Sequence, residues 1–435
     1  MNKIIGIRRE DKNEWERRVP LIPADVSELY QKYGIRTILQ PSRLRIFPDD
    51  DYRKVGAEIS EDLGAADTIF AVKEIPVYFF ERRKTYIFFS HTIKGQSYNM
   101  PMLKRMIGLE CNLIDYERIV NEKNQRLIFF GKYAGLAGMI ETLHAYARKL
   151  RLKGFETPLD RVKQAYRYAS VEDARNEFRK VASEIRSVGF PGDLAPIVIG
   201  FAGYGNVSRG AQEMFDLLPH HEISPGDLLG DNIPADPYHL IKVVFKEEDL
   251  VKPKAGAFVL QDYYDHPEKY ESKFASYLPH LTVLVNCIYW TEDYPRLVTK
   301  HSLLSKTTPK VKLEVIGDIS CDINGSIEIT SKTTYPDKPT YTYFADEDCY
   351  RDGTREKGVT IMAIDNLPCE FSRESSSEFS RVLKHYVRDI VLTDFDIAFD
   401  SLVLPYPIKK ALILHRGKLT PEYRYLENFL SLRNT

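Results

Sequence analysis

Short apolar blocks alternate with polar stretches along the first 130 residues of the chain. The blocks contain many β-branched and aromatic residues and stand in the segments KIIGIRR, IRTILQP, DTIFAVKE, KTYIFFSHT and CNLIDYE. Apolar runs of this length, separated by helix-length polar segments, are typical of βαβ units. The pattern therefore predicts a layered α/β sheet in the first part of the chain.

The remainder of the chain continues the same pattern after one long helix. That helix is predicted between Tyr133 and Lys153, where apolar residues form one stripe and Gly154 follows as a C-cap. The later runs LTVLVNCIYW and LEVIGDIS are continuous apolar stretches of the kind buried in parallel sheets. Residues 330–359 indicate a β-excursion or loop, and the segment from Glu374 is helical again. We expect that last segment to pack on the N-terminal part.

A glycine-rich turn lies almost half way along the chain, in IVIGFAGYGNVSRGAQ. Gly203 permits a tight turn, and Gly205 lets backbone amides approach a pyrophosphate at a helix N-terminus. Ser208 stands where the third glycine of the G-x-G-x-x-G pattern serves close helix-to-strand packing, and it is small enough to replace it. An ordinary strand-to-helix connection is the alternative, but the order of strand, glycines and helix favours a dinucleotide site.

The residue that contacts the 2′ position of the coenzyme ribose is expected at the end of the next strand. The segment HHEIS predicts that strand. Ser224 ends that segment and does not repel a 2′-phosphate, while His220 or His221 can approach one. The sequence therefore favours NADP(H) as cofactor and leaves NAD(H) possible.

Composition narrows the class of protein. The 435 residues are 43% hydrophobic, enough for two or three globular domains, and 61 basic residues balance 62 acidic ones. No apolar run approaches the ~20 residues of a membrane span, and the five cysteines are scattered without a C-x-x-C pair. We expect a cytoplasmic protein with small-molecule partners, no nucleic acid, no membrane and no metal.

Basic side chains follow several predicted N-terminal strands, where a layered sheet exposes them to a crevice. Lys73 and His91 each close a strand segment, and Arg18, Lys94 and Arg126 lie in neighbouring segments. Taken singly, such residues are usually solvated or structural. A lysine and a histidine close together disfavour each other's protonation, which makes an acid/base pair near neutral pH and suits imine chemistry.

Eight segments in order resemble a known family: WERRVPL, AVKE, FFSHTIKGQ, FGKYAGLAGMI, GYGNVSRGA, NCIYW, GDISCDINGSIE and IDNLPCE. They resemble the lysine 2-oxoglutarate reductase domain, the saccharopine-forming N-terminal half of aminoadipic semialdehyde synthase. The chain is also similar, more distantly, to the lysine-forming saccharopine dehydrogenases of fungi and to alanine dehydrogenases. The resemblance covers residues 3 to about 432.

The resemblance implies an α/β fold of two Rossmann-like domains with parallel sheets. The cofactor domain, residues 133–365, is inserted into a discontinuous substrate domain formed by residues 1–132 plus 366–435. This arrangement accounts for the late position of the glycine turn.

The resemblance also implies roles for individual residues. Lys73 and His91 match the acid/base pair, and Asp322 matches a catalytic aspartate of alanine dehydrogenases, ranked below them. The implied substrate-binding residues are Arg18, Glu74, Lys94, Arg126 and Phe130. The implied cofactor-binding residues are Gly203, Gly205, Asn206, Val207, Ser224, Cys287, Ile288, Tyr289, Asp318, Ile364, Asp365, Asn366 and Leu367.

The implied activity is an NADPH-dependent oxidoreductase of lysine metabolism that condenses L-lysine with 2-oxoglutarate to saccharopine. One alternative keeps the fold but runs the reaction toward lysine, or uses another amino and oxo acid pair as alanine dehydrogenase does. A second alternative is a non-catalytic nucleotide-binding sensor.

Overall fold

The chain divides into two compact units. The computed structural model describes residues 3–230, 233–304 and 311–431. Residues 1–130 and 372–435 form the first unit, and residues 131–371 form the second unit. In the described part of the chain, none of the helices combines the length and the apolar character that crossing a membrane requires.

The strands are short and mostly buried, as the apolar blocks predict. They are β1 Ile4–Ile7, β2 Arg36–Leu39, β3 Glu58–Ile59, β4 Thr68–Phe70, β5 Thr85–Phe88, β6 Asn112–Asp115, β7 Val198–Ala202, β8 His220–Ile223, β9 Leu240–Phe245, β10 Val251–Pro253, β11 Tyr270–Ser272, β12 Val283–Asn286, β13 Val315–Asp318, β14 Thr340–Phe344, β15 Cys349–Asp352, β16 Val359–Met362, β17 Leu412–His415 and β18 Lys418–Leu419.

The α-helices vary from a single turn to 22 residues in length. They are α1 Pro23–Tyr33, α2 Asp49–Lys54, α3 Met100–Gly108, α4 Gly131–Leu152, α5 Val171–Val188, α6 Asn206–Phe215, α7 Pro225–Leu228, α8 Glu247–Leu250, α9 Leu260–Asp265, α10 Lys300–Leu303, α11 Ser372–Val391, α12 Tyr406–Ala411 and α13 Glu427–Ser431.

The first unit is built on an eight-stranded sheet of order β18-β17-β6-β5-β4-β1-β2-β3. The strands from β6 to β3 are parallel, and β17 and β18 extend the sheet in antiparallel fashion. Successive strand residues point to opposite faces, so Ile5 and Ile7 enter one apolar core and Ile4 enters the other. Helices α1 and α11 cover the first of these cores, which confirms that the C-terminal helix packs on the N-terminal part.

The second unit has another eight-stranded sheet, of order β15-β14-β16-β13-β12-β7-β9-β8. Six of its strands are parallel, and the β14–β15 hairpin within residues 330–359 adds an antiparallel edge. The predicted α/β fold with two mostly parallel sheets is therefore confirmed. The strand order differs from the expected one at one place, because β9 lies next to β7, where the sequence predicted β8.

Helix α4 packs very closely on α6, the helix that follows the glycine turn. A Cβ added at Gly135 would overlap the Val207 carbonyl oxygen and lie 2.6 Å from the Ala211 nitrogen. A Cβ at Gly210 would overlap the Lys132 carbonyl oxygen in the same way. These two glycines thus permit a close contact between α4 and α6, which is distinct from the helix-to-strand packing expected at Ser208.

A pair of fully buried carboxyl groups joins α4 to the segment after β16. Glu141 accepts a hydrogen bond from Ala165 N at 2.6 Å, and Glu370 accepts one from Tyr166 N at 3.1 Å. Burial raises the pKa of Glu141 to about 7 and the pKa of Glu370 well above its ordinary value. The pair therefore carries at least one proton at neutral pH.

We expect Gly135→Ala to lower the free energy of unfolding by about 1–3 kcal/mol, because the new methyl group meets backbone atoms that cannot rotate away. The measurement is urea unfolding followed by circular dichroism. Gly108→Ala, at the end of α3 where an added Cβ meets nothing within 4 Å, is the matched control and should be close to neutral. Equal losses for both variants would contradict the close α4–α6 packing.

We expect Glu141→Gln to reduce the loss of folding free energy that the wild type shows as the pH rises through about 7. A carboxyl group whose pKa is raised on folding stabilises the protein below its unfolded pKa, and this contribution is lost as the pH rises through about 7. The free energy of unfolding of the variant, relative to that of the wild type, should rise by on the order of 1–3 kcal/mol between pH 5 and pH 8. Thermal unfolding across this range measures the difference, with exposed Glu156→Gln as control.

Candidate active site

Lys73 and His91 follow neighbouring parallel strands of the first sheet. Lys73 comes just after β4 and His91 just after β5, so both lie at the carboxyl edge of the sheet. The two groups are close enough for the positive charge of Lys73 to lower the pKa of His91. The structure therefore brings together the two residues that the sequence singled out for acid/base chemistry.

His91 lies between two carboxylates. Its Nε2 is 3.7 Å from Glu74 Oε1, and its Nδ1 is 4.0 Å from Glu117 Oε2. The ring stacks on Phe89 with centroids 6.2 Å apart, and the backbone φ of His91 is +50°, in the left-handed region. Burial lowers the pKa of the imidazole and outweighs the attraction of Glu74 and Glu117 for the charged form.

The pKa of Lys73 is also lowered. Burial of the ammonium group is the main cause, and the positive charges of Arg18 and Lys12 add to it, while Glu16 and Glu74 oppose it. The Lys73 Nζ forms no hydrogen bond or ion pair with the described residues, so its amine is available to a substrate. Both Lys73 and His91 thus favour their neutral forms more than an exposed lysine or histidine does.

Glu10 holds the backbone that carries Lys73. Its two carboxylate oxygens accept hydrogen bonds from Val72 N at 2.6 Å and from Lys73 N at 2.9 Å. Burial and the neighbouring Glu16 raise the pKa of Glu10 to about 7. Sequence reasoning missed this residue because the pairing of a loop carboxylate with a distant backbone leaves no mark in the local pattern.

Arg18 is buried and forms a two-pronged ion pair with Glu16. Its Nε and Nη2 donate to the two Glu16 oxygens at 2.8 and 2.6 Å. The guanidinium also lies 4.1 Å from the centre of the Phe130 ring, which stacks on Phe379 with centroids 4.6 Å apart. Arg18 and Phe130, both predicted to bind substrate, are therefore rigidly held near Lys73.

Arg126 and Lys94 are more exposed. Arg126 pairs with Glu117, and Asp115 fixes Glu117 by accepting from its backbone nitrogen at 2.8 Å. Lys94 is exposed on the loop that follows His91. Glu117 contacts two predicted site residues, Arg126 and His91. Its position after a strand did not by itself predict a role in the site.

Glu74 keeps one oxygen unsatisfied. Its buried Oε2 has no hydrogen-bond partner within the described residues, although Lys12 Nζ lies 3.6 Å away. A buried acceptor without a donor is costly, so a ligand that donates a hydrogen bond fits this position. Glu74 was predicted to bind substrate, and Lys12 was not.

The predicted cofactor residues of the second unit collect at one edge of its sheet. They follow the carboxyl ends of parallel strands: Gly203 and Gly205 after β7, Cys287, Ile288 and Tyr289 after β12, Asp318 at the end of β13, and Ile364, Asp365, Asn366 and Leu367 after β16. Ligands of open α/β sheets bind at this edge.

The glycine turn fits a pyrophosphate. Gly203 has φ +92° and donates from its nitrogen to Phe245 O at 3.0 Å. Gly205 is the N-cap of α6, without a side-chain cap, and a Cβ added there would meet nothing within 4 Å. The first turn of α6 begins at exposed Asn206 and half-buried Val207, at the positive end of the helix dipole, where a pyrophosphate binds favourably.

The two predicted aspartates differ in environment. Asp318 is fully buried and accepts hydrogen bonds from Asn286 Nδ2 at 2.8 Å and Thr330 Oγ1 at 2.6 Å. This network ties the loop after β13 to the neighbouring strand end. Asp322 is exposed on that loop, in the second unit, whereas Lys73 and His91 belong to the first unit.

Ser224 directly follows β8, the strand that the segment HHEIS predicted. That strand is the edge strand, however, and β9 separates it from the strand of the glycine turn. Ser224 caps α7 by accepting from Asp227 N at 3.1 Å, and Asp227 Oδ2 accepts from Ser224 Oγ at 2.6 Å. The physical reason is topological, because the chain passes to the sheet edge before it returns beside β7.

Three residues near β8 could hold a metal ion, a group that the sequence did not predict. The ligand atoms of His221, Asp236 and His239 lie within 4.8 Å of one another. Asp236 Oδ2 is 2.6 Å from His239 Nδ1 and 3.4 Å from His221 Nε2. Hydrogen bonding to Asp236 explains this cluster without a metal.

The fold and the glycine turn define an α/β protein of the dinucleotide-binding class. Residues 6–137 match the model of the alanine dehydrogenase/PNT N-terminal domain, and residues 260–422 match the model of the C-terminal domain of the same family. The chain belongs to the alanine dehydrogenase/PNT family, a family of nicotinamide nucleotide-dependent dehydrogenases. The resemblance seen in the sequence is thereby confirmed.

Curated relatives extend over nearly the whole chain. It is 36% identical to alpha-aminoadipic semialdehyde synthase of Arabidopsis thaliana over 98% of this chain and 41% of the relative. It is 34% identical to the mitochondrial synthase of Rattus norvegicus over 99% of this chain and 48% of the relative. The chain therefore spans about half the length of these synthases.

A fungal relative is covered more completely. The chain is 26% identical to the saccharopine dehydrogenase [NAD(+), L-lysine-forming] of Emericella nidulans over 87% of this chain and 90% of the relative. Among solved structures, an L-alanine dehydrogenase has a TM-score of 0.63 at 16% identity and covers 98% of this chain and 100% of its own. A transhydrogenase from Sinorhizobium meliloti has a TM-score of 0.56 at 14% identity over 96% and 98%. These two likenesses concern the fold.

We expect substitutions of Lys12 and Glu74 to move the pKa of His91 in opposite directions. Lys12→Met removes a positive charge and should raise this pKa, whereas Glu74→Gln removes a negative charge and should lower it. The measurement is an NMR titration of the His91 ring protons, assigned with His91→Gln. Identical titration curves in both variants would contradict the charge cluster described above.

Proposed function

We propose that the chain catalyses the NADPH-dependent condensation of L-lysine with 2-oxoglutarate to saccharopine, as in lysine degradation. The observation that carries the proposal is the pairing of Lys73 with His91 at one sheet edge, each with a lowered pKa. Imine chemistry needs a neutral amine or imidazole that moves protons near neutral pH. The family and the similarity to the synthases support this choice of reaction.

In the proposed reaction, the ε-amine nitrogen of free lysine attacks the ketone carbon of 2-oxoglutarate. In total the carbonyl oxygen takes up two protons, matching the two that the attacking nitrogen loses, and leaves as water, which forms the imine. We assign Lys73, whose lowered pKa favours the neutral amine, to accept a proton from the attacking nitrogen. His91 delivers a proton to the leaving oxygen, and Glu74 and Glu117 orient its ring.

The product carries three carboxylates, which basic residues must hold in a fixed geometry. Arg18, Lys94 and Arg126 are the proposed partners. Their ion pairs with Glu16 and Glu117 keep both guanidinium groups in position before substrate binds. Arg126 remains 48% exposed, so a substrate carboxylate can approach it without breaking the Glu117 contact.

We assign substrate binding to the first unit and nucleotide binding to the second. Gly205, Asn206 and Val207 would hold the pyrophosphate through backbone amides, and the loops after β12 and β16 would flank the nicotinamide. A reduced nicotinamide supplies the hydride for the imine carbon when it is bound. We keep Asp322 as a lower-ranked catalytic candidate, and cytoplasmic location likewise stays a prediction.

A second candidate function is the same chemistry run toward lysine. The observation that favours it is the fungal relative, of which the chain covers 90% and whose name states that direction and NAD⁺. An alanine dehydrogenase-like use of ammonia fits less well, because three basic residues suit a substrate with several carboxylates. A nucleotide sensor would not need both Lys73 and His91.

We expect Lys73→Ala and His91→Ala each to lower kcat by ~10²–10⁴-fold, because each removes a proton-transfer group. NADPH oxidation in the presence of lysine and 2-oxoglutarate measures turnover, and nicotinamide fluorescence measures nucleotide binding, which should change little. Lys104→Ala, at an exposed position of α3, is the control.

Turnover with ammonia in place of lysine would replace the proposed substrate. A higher kcat/KM for NAD⁺ reduction by saccharopine than for NADPH oxidation by lysine and 2-oxoglutarate would support the second candidate. NADPH binding without turnover of any amine and oxo acid pair would refute both enzymatic proposals.

A further inference from the structure

The strand order changes which strand end lies where the ribose of a coenzyme would bind. In a dinucleotide-binding sheet the ribose lies at the carboxyl end of the strand beside the glycine-turn strand. Here that neighbour is β9, paired with β7 along its length from Val198 opposite Ile241 to Ala202 opposite Phe245. The hydrogen bond from Gly203 N to Phe245 O continues this pairing into the turn. The next residue beyond the strand is Lys246.

We propose that Lys246 binds the 2′-phosphate of NADP(H) and so sets the coenzyme preference of the second unit. The inference rests on the proposed function only in taking a nicotinamide dinucleotide as the ligand of the glycine turn. Lys246 thereby takes the role at the ribose 2′ position that the sequence pattern gave to Ser224, because the strand order places Lys246 at the end of the strand beside the glycine turn.

The side chain of Lys246 is available for an anion. The residue is exposed, and its ammonium group forms no hydrogen bond or ion pair with the described residues. Its backbone is fixed at the same time, because Lys246 N donates to Asp249 Oδ2 at 2.9 Å. A lysine acts as a point charge toward a phosphate, and the fixed backbone leaves only its side chain to be ordered on binding.

The acidic residue that follows Lys246 is already engaged. Glu247 Oε1 accepts a hydrogen bond from Tyr264 OH at 2.7 Å and lies 3.5 Å from the hydroxyl group of Tyr204, within the glycine turn. A carboxylate at this edge can instead accept from a ribose 2′-hydroxyl, which is the pattern of NAD(H) enzymes. Tyr204 and Tyr264 thus compete with a ribose hydroxyl for the carboxylate of Glu247. No described group competes with a phosphate for the ammonium group of Lys246.

The strand end itself supports the same choice. Phe245, the last residue of β9, is buried in the apolar core with Phe274 and Tyr277, so an acidic residue does not occupy that position. The earlier candidates for a phosphate contact are on the edge strand β8. His220 faces Asp216 at 3.6 Å, and His221 faces Asp236 at 3.4 Å.

The test measures binding to the purified full chain by isothermal titration calorimetry. Adenosine 2′,5′-bisphosphate and AMP are the probes, because they differ only by the 2′-phosphate, and NADPH and NADH are titrated in parallel. Lys246→Ala should weaken the 2′-phosphorylated ligands on the order of tenfold and leave AMP and NADH within about twofold. Lys246→Glu should weaken them further through repulsion.

Two variants serve as matched controls. Lys252→Ala removes another exposed lysine, one that pairs with Glu271 across β10 and β11, and should leave all four affinities unchanged. Ser224→Ala should also leave the ratio of NADPH to NADH affinity unchanged, because Ser224 lies at the end of the edge strand. A fall in that ratio for Ser224→Ala alone would overturn the proposal.

The remaining outcomes are also decisive. An unchanged ratio in Lys246→Ala, or a wild type that prefers NADH and loses this preference in Glu247→Gln, refutes the role of Lys246. Failure of the proposed function looks different, because it appears as the absence of turnover with lysine and 2-oxoglutarate. A Lys246-dependent preference for 2′-phosphorylated ligands would still support the present inference in that case.

Discussion

The candidate active site depends on keeping two basic groups, Lys73 and His91, partly buried at the same edge of the sheet, where burial lowers the pKa of each. Water stabilises ammonium and imidazolium ions strongly, so removing it shifts both Lys73 and His91 toward their neutral forms. The surrounding carboxylates limit this shift, since an uncompensated buried charge would cost several kcal/mol. The result is a pair whose protonation responds to small changes in its surroundings, as acid/base chemistry requires.

Two carboxylates near this pair are held at the ends of strands, and only Glu117 among them affects the pKa of His91 directly. Glu10 is bound by backbone amides after β4, and Glu117 is positioned by Asp115 at the end of β6. Parallel strands end at one edge, so residues distant in sequence meet there without any long loop. The scaffold therefore supplies both the reactive groups and the charges that tune them.

Small residues serve two different contacts of α6 in the second unit. Ser208, at the position of the third glycine, is buried and accepts a hydrogen bond from Gln212 Nε2 at 2.9 Å. The contact between α6 and α4 depends instead on Gly210 and Gly135, where an added Cβ would overlap backbone atoms. A pattern search limited to the turn cannot detect this second contact, because Gly135 lies about seventy residues earlier.

The sequence by itself determined the class of fold and the residues most suited to chemistry. Apolar blocks report burial, and burial is a local property of each strand, so β1, β4, β5, β7 and β12 are visible in the linear pattern. Lys73, His91 and the glycine turn are visible for the same reason, since they stand directly at strand ends. Only the tertiary structure decided which strands are neighbours and which carboxylates reach the basic groups. Strand order depends on long-range pairing and leaves no local pattern, which is why the contacts of Glu10 and Glu117 and the place of Lys246 beside the glycine turn follow from the tertiary structure and not from the sequence.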